Sequence, residues 1–182
     1  MKKINYTLLI AIIIITLLGL LMIYSSSYVW AEYKFNDPYK FLKTQGFFLI
    51  IGYIIMSIII KIPYTQYKNK ANIIFSVCFL LLILVLIPGI GTVRNGSRSW
   101  FGIGGLGIQP SEFMKLSLII FTSKYLAKND KDIKDIKKGI LPILGILMLV
   151  FGLIMLEPDF GTGVVIVMTI VALLFVSGVK LS

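Results

Sequence analysis

Apolar positions along this chain do not alternate with polar ones in the short periods of a soluble sheet. Nor do they recur as the narrow stripe of a soluble amphipathic helix. They run in long blocks, at 6–28, 44–62, 71–87, 111–127, 139–156 and 161–179, separated by short polar connections. Each block approaches the roughly 20 predominantly apolar residues that a membrane-spanning helix needs. In hydrocarbon, every backbone N–H and C=O must be satisfied within the protein, and a helix does this inside a single segment. The pattern therefore predicts an all-α, polytopic membrane protein with about six transmembrane helices.

Composition agrees with this reading. Hydrophobic residues make up 58% of the 182 and charged residues 14%, with a mean hydropathy of +0.94. A soluble domain carries about 25% charged residues. The formal net charge of +10 could suggest a nucleic-acid partner, but the lysines fall in short tracts between apolar blocks and form no long basic arm. They read as orientation signals instead. Lys2, Lys3, Lys61, Lys68, Lys70, Lys124, Lys128, Lys131, Lys134, Lys137, Lys138 and Lys180 lie on one side. Lys34, Lys40, Lys43, Arg94 and Arg98 lie on the other. By the positive-inside rule both termini are cytoplasmic. The apolar block after Met1-Lys2-Lys3 exceeds the roughly 7–15 residues of a signal-peptide core, so an uncleaved first helix is expected. The single cysteine, Cys78, sits within an apolar block and allows no intrachain disulfide. Histidine is absent, which disfavours His-based triads and zinc hydrolases and leaves acid–base chemistry to carboxylates, Lys or Tyr.

The connections hold the candidate chemistry. Asp37-Pro38 reads as a helix start, with Asp as N-cap and Pro in the first helical position. Tyr24-Ser25-Ser26-Ser27 reads as the close of the first helix, with hydroxyls able to bond across the bundle. Asp130/Lys134 and Lys131/Asp135 stand at helical spacing and suit a solvated, salt-bridged helix extension. Segment 88–109 is glycine-rich and carries Arg94, Arg98 and Trp100. Glu112 and Lys115 occupy one face of the first turns of the fourth helix, where the carboxylate also gains from the helix dipole. Asp159 follows Pro158 at the break between the fifth and sixth helices. Two readings stay open. Lys115 bonded to Glu112 or Asp159 would staple helix ends together. Alternatively, Arg98 and Lys115 would contact an anionic, lipid-linked ligand while Glu112 and Asp159 orient those cations.

Taken together, these segments resemble the SEDS family, of RodA, FtsW and SpoVE type. The resemblance is carried by Asn95-Gly96-Ser97-Arg98-Ser99-Trp100, by Ile108-Gln109-Pro110-Ser111-Glu112-Phe113-Met114-Lys115 and by Pro158-Asp159-Phe160-Gly161-Thr162. Tyr24-Ser25, Gln45 and Gly52 are weaker matches. Ser99 between Arg98 and Trp100, together with Phe113-Met114-Lys115, looks more like the FtsW/SpoVE branch than the RodA branch. The resemblance implies polymerisation of lipid II at the outer leaflet. A sugar hydroxyl of one lipid-linked disaccharide attacks the anomeric carbon of another, and undecaprenyl diphosphate leaves. It also implies substrate-binding roles for Arg98, Glu112, Lys115 and Asp159, and a class B penicillin-binding transpeptidase as partner. No cofactor is implied; a divalent cation is chemically compatible but not readable from these residues.

Members of that family have about ten membrane helices, and the aspartate usually assigned as catalytic lies in a later outer loop. No residue here stands for it, and Asp159 is not given that role. The resemblance then implies a truncated product or a split gene, one that need not be active alone. Two other functions remain to be weighed: a transporter (flippase) of lipid-linked precursors, and a non-catalytic membrane assembly partner.

Overall fold

The computed structural model describes residues 5–94, 96–102, 107–129 and 139–178. They form six helices, α1 (Tyr6–Phe35), α2 (Lys40–Ile59), α3 (Tyr64–Leu86), α4 (Pro110–Lys128), α5 (Leu141–Leu156) and α6 (Phe160–Val176). A two-stranded antiparallel hairpin, β1 (Thr92–Arg94) and β2 (Ser97–Trp100), stands between α3 and α4. Among the described residues, α1, α2 and α3 are long and apolar enough to cross a membrane. The apolar α5 and α6 are shorter, with 16 and 17 residues. The chain divides into two compact units, Met1–Pro63 and Tyr64–Ser182.

The first unit is a helical hairpin. Asn5 opens α1, its Oδ1 accepting the Leu8 N–H at 3.1 Å. Nothing stops this helix at Tyr28, where the apolar block ends. It continues to Phe35 and closes on Asn36, which takes the left-handed conformation at φ 53°. Ser26 and Ser27 turn back onto their own helix, donating to the Ile23 carbonyl at 3.2 and 2.7 Å, so these two hydroxyls do not bridge the bundle. Contacts between α1 and α2 include the Thr16–Tyr53 hydroxyl pair and Trp30 and Phe35 against Phe41 at 5.6 and 5.9 Å. Tyr24 stacks on Tyr39, the residue preceding α2, at 5.4 Å. Most other apolar side chains of α1 face outward, and Ala31 is the one buried residue of the helix. A helix apolar on all sides with so little burial is built for lipid.

Asp37 does not cap α2 as expected. Its Oδ1 accepts the Tyr39 N–H at 3.0 Å, a turn closed two residues on, and Lys43 holds Oδ2 at 2.9 Å. An Asp side chain competes well for such local turns, which places the first helical residue at Lys40.

The second unit packs α3 to α6 around a continuous core. Ile143, Leu147, Val150 and Ile154 of α5 meet Ile166, Ile170 and Leu174 of α6, each set spaced by three or four residues as one helix face requires. Met114 and Leu118 of α4 and Cys78 and Leu82 of α3 complete the cluster. Lipid chains are as apolar as Leu, so close packing rather than transfer out of water must hold such helices together. The small residues fit that demand. Ser111, Ser117 and Thr122 are buried on α4. Gly163 of α6 lies so close to α5 that a Cβ there would stand 2.6 Å from the Met155 methyl.

α3 starts at Tyr64, ahead of its apolar block, because the polar turn Thr65 to Lys70 remains helical beyond the span. The Asp130/Lys134 and Lys131/Asp135 pairs fall outside the described residues.

The described residues of segment 88–109 form a paired hairpin where the sequence suggests a glycine-rich loop. Arg94 pairs with Ser97 across Asn95-Gly96, the dipeptide most favoured in two-residue hairpin turns, and Gly96 supplies the positive φ of 84°. A further bridge closes the base of the excursion, with Phe101 N–H to Ile108 O at 2.8 Å and Ile108 N–H to Phe101 O at 2.7 Å. Gly91 links α3 to β1 at close quarters, and a Cβ there would stand 1.8 Å from the Val85 carbonyl oxygen.

These two glycines give unequal expectations. Gly91→Ala must displace backbone and should destabilise the second unit by about 2–3 kcal/mol. Gly96→Ala carries only the left-handed strain of about 1 kcal/mol. Unfolding in mixed micelles, followed by far-ultraviolet circular dichroism, should rank them in that order.

Candidate functional site

One end of the second unit gathers the polar side chains that the sequence singles out. α4 begins here with Gln109 extended at its N-cap and Pro110 in its first turn. Glu112 lies in that turn and Lys115 one turn on. Their side chains meet at 2.8 Å, Lys115 Nζ donating to Glu112 Oε1, with Glu112 53% and Lys115 24% exposed. The pair stands at a groove of about 520 Å³ lined by Glu112, Phe113, Lys115, Leu116, Ile119 and Thr169. A charged pair thus adjoins an otherwise mainly apolar trough between α4 and α6.

Asp159 is bonded to other groups. It is the N-cap of α6, with Oδ1 accepting the Thr162 N–H at 3.1 Å. Its other oxygen accepts the Gln109 Nε2–H at 2.7 Å. A single carboxylate therefore ties the start of α6 to the start of α4. Of the two ion pairs open in the sequence, Lys115–Glu112 is the one formed.

The hairpin sorts its residues by strand alternation. Ser97 and Ser99 share one face of β2, with their hydroxyls 2.8 Å apart and Ser99 buried. Ser97 also donates to the main-chain carbonyl of Glu157, in the turn between α5 and α6. Arg98 and Trp100 take the other face. The Arg98 stem lies against Gly91, its Cγ 3.1 Å from where a Cβ there would stand, while the Arg94 guanidinium stacks over the Trp100 ring at 5.2 Å. Arg98 makes no salt bridge among the described residues. The structure therefore joins Glu112 to Lys115 and Asp159 to Gln109, and places Arg98 on a separate element.

Two residues at this end gain weight only from the structure. Gln109 enters the sequence reading as part of a motif, yet it is the partner of Asp159. Glu157 is fully buried, and neither carboxylate oxygen finds a hydrogen-bond partner among the described residues. Burial first, and the nearby Asp159 charge second, push its carboxyl up to about 8. The argument that a charge at the edge of an apolar block is costly applies to Glu157 as much as to Glu112, and could have marked it. Among the described residues no group of three or more His, Cys, Asp or Glu side chains is arranged to hold a metal.

This architecture and these motifs have known counterparts. The family described as cell cycle protein, of FtsW, RodA and SpoVE, matches residues 6–182. Stage V sporulation protein E of Bacillus subtilis is 47% identical over 183 residues, covering 100% of this chain and 50% of that protein. A probable peptidoglycan glycosyltransferase FtsW of Saccharophagus degradans is 34% identical, covering 100% and 47%. Among solved structures, a chain of a peptidoglycan synthase complex superposes with a TM-score of 0.71 at 28% identity, over 91% of this chain and 48% of its own. Thermus thermophilus RodA shares the fold, with a TM-score of 0.63 at 24% identity, over 91% and 53%. The chain spans about half the length of the curated relatives it matches. By sequence and by fold, this multi-pass membrane protein belongs to the FtsW/RodA/SpoVE family.

Proposed function

We propose that this chain holds the lipid-linked substrate of a SEDS-type peptidoglycan glycosyltransferase, at the outer leaflet of the bacterial inner membrane. The observation that carries the proposal is the Lys115–Glu112 pair beside the α4–α6 groove. An amphiphile with a long apolar chain and a diphosphate has the complementary shape and charge. Its chain lies along Phe113, Leu116 and Ile119, and its anionic head exchanges for Glu112 at the Lys115 ammonium. Charge-assisted bonds of this kind are among the stronger polar contacts. A cation there also stabilises the negative charge that develops as diphosphate leaves the anomeric carbon. Arg98, carried by the hairpin, supplies a second cation on the same side of the bundle.

Both termini are cytoplasmic in this reading, by the lysine bias of the connections. The curated relatives named as peptidoglycan glycosyltransferases support the substrate class. The likeness to a chain of a peptidoglycan synthase complex supports a class B penicillin-binding transpeptidase as partner. A flippase would call for charge along the interior of the spans, yet α5 and α6 contain no charged residue at all.

The test is binding of labelled lipid II to the 182-residue chain in nanodiscs. Lys115→Ala should weaken binding about 10- to 100-fold, the loss expected for one charge-assisted contact, while Lys115→Arg retains most of it. Equal binding by the parent and Lys115→Ala would sink the proposal.

Asp159 separates anchoring from binding. Asp159→Ala removes an N-cap and the Gln109 bond together and should lower stability by about 1–2 kcal/mol. Asp159→Asn keeps an accepting oxygen for the cap and should recover most of that loss in the same unfolding measurement.

A further inference from the structure

Glu157 has a combination of features that the substrate reading does not use. Its side chain is completely buried at the hairpin end of the bundle, just beyond the last residue of α5, and both carboxylate oxygens lack partners among the described residues. Its main chain does the opposite and makes a specific contact, accepting the Ser97 hydroxyl of β2. Ser97 is in turn bonded to the buried Ser99. The joint that seats the hairpin and the unpartnered acid therefore belong to one residue. Two positions on, Asp159 caps α6 and holds Gln109 at the start of α4.

The charges around this turn are few. Asp159, on α6, adds a like charge that acts against ionisation of Glu157. On α4, Glu112 and Lys115 satisfy each other at 2.8 Å. On the hairpin, Arg98 lies on the face opposite Ser97, against Gly91, and Arg94 stacks over Trp100. α3 brings its lysines, Lys68 and Lys70, only at its far end. Among the described residues no cation pairs with a carboxylate at Glu157, and a buried charge left without a partner must either draw in water or move.

We propose that Glu157 is a proton-operated latch: neutral, it seats the β1–β2 hairpin on the α5–α6 turn, and ionised, it loosens the turn and releases the hairpin with Arg98. The sign follows from the environment. Burial raises the carboxyl from its ordinary 4.5 to about 8, so the seated form is fully favoured below the ordinary value and is lost as pH rises through about 8. Ser97 is the matching half of the latch, because its hydroxyl is the contact broken on release. The proposal is independent of which ligand occupies the groove.

The chain carries two tryptophans, Trp30 and Trp100, so a Trp30→Phe background leaves Trp100 as a reporter on β2. In nanodiscs, Trp100 emission should change in a one-proton transition between pH 6 and 9.5, with a midpoint near 8. Glu157→Gln, which keeps the shape but cannot ionise, should hold the low-pH spectrum throughout. Ser97→Ala should move the spectrum at pH 6 toward the high-pH form. Hydrogen exchange of the hairpin amides, corrected for intrinsic pH dependence, should rise at least tenfold over the same window in the parent alone. The latch is overturned by a parent without the transition, by a transition that survives in Glu157→Gln, or by Ser97→Ala matching the parent at pH 6. Because no lipid substrate enters the measurement, its failure would leave the binding proposal standing.

Discussion

In hydrocarbon a peptide group without a partner is expensive, and this requirement shapes the described fold. Helices meet it internally, so the apolar blocks are helical, and irregular backbone is confined to the ends of the units. The hairpin, the Gln109–Pro110 entry to α4 and the Glu157–Asp159 turn all lie at one end of the second unit. Chemistry can collect only where backbone may leave the helix and polar side chains can share water. Helix packing supplies the rigid floor for it. Gly163 lets α6 close on α5, and Ser111, Ser117 and Thr122 occupy little room on α4.

At that end, each anchor is made by a group that answers two needs at once. Asp159 satisfies an orphan N–H of α6 and a side-chain amide of the residue preceding α4. Ser97 bonds to its neighbour on β2 and to the α5–α6 turn. Arg94 covers Trp100 and fills the space that a side chain at Gly107 would need. Lys115 stays paired with Glu112 beside the mainly apolar groove, and in the proposed binding an anionic lipid head takes the place of Glu112 there.

How much of this was legible in the chain depends on the range of the interaction. Spans were readable, because a block of apolar residues is a local property. Helix ends were not, because an apolar window marks where lipid stops rather than where the helix does. α1 runs on to Phe35 and α3 begins at Tyr64 for that reason. Asp37 carries the residue type of a cap yet closes a local turn, since its second oxygen is claimed by Lys43. The hairpin was written in Asn95-Gly96 between Thr92-Val93-Arg94 and Ser97-Arg98-Ser99-Trp100, but the surrounding glycines masked it as a loop. Glu112–Lys115 was within reach as a short-range pair. The Gln109–Asp159 bond joins residues far apart in sequence, and it became visible, like the burial of Glu157, only with the packing of the second unit.

The length of α1 has a mechanical consequence. From Tyr6 to Ala31 it carries no charged residue, which at 1.5 Å per residue is roughly 39 Å of uncharged rod. A typical hydrocarbon layer is about 30 Å thick, so a straight helix of this length must lean or thicken the lipid around it. Trp30, near the end of that rod, favours the headgroup level and resists being drawn inward. Leaning is then the easier response, and α1 converts the local thickness of the membrane into an angle.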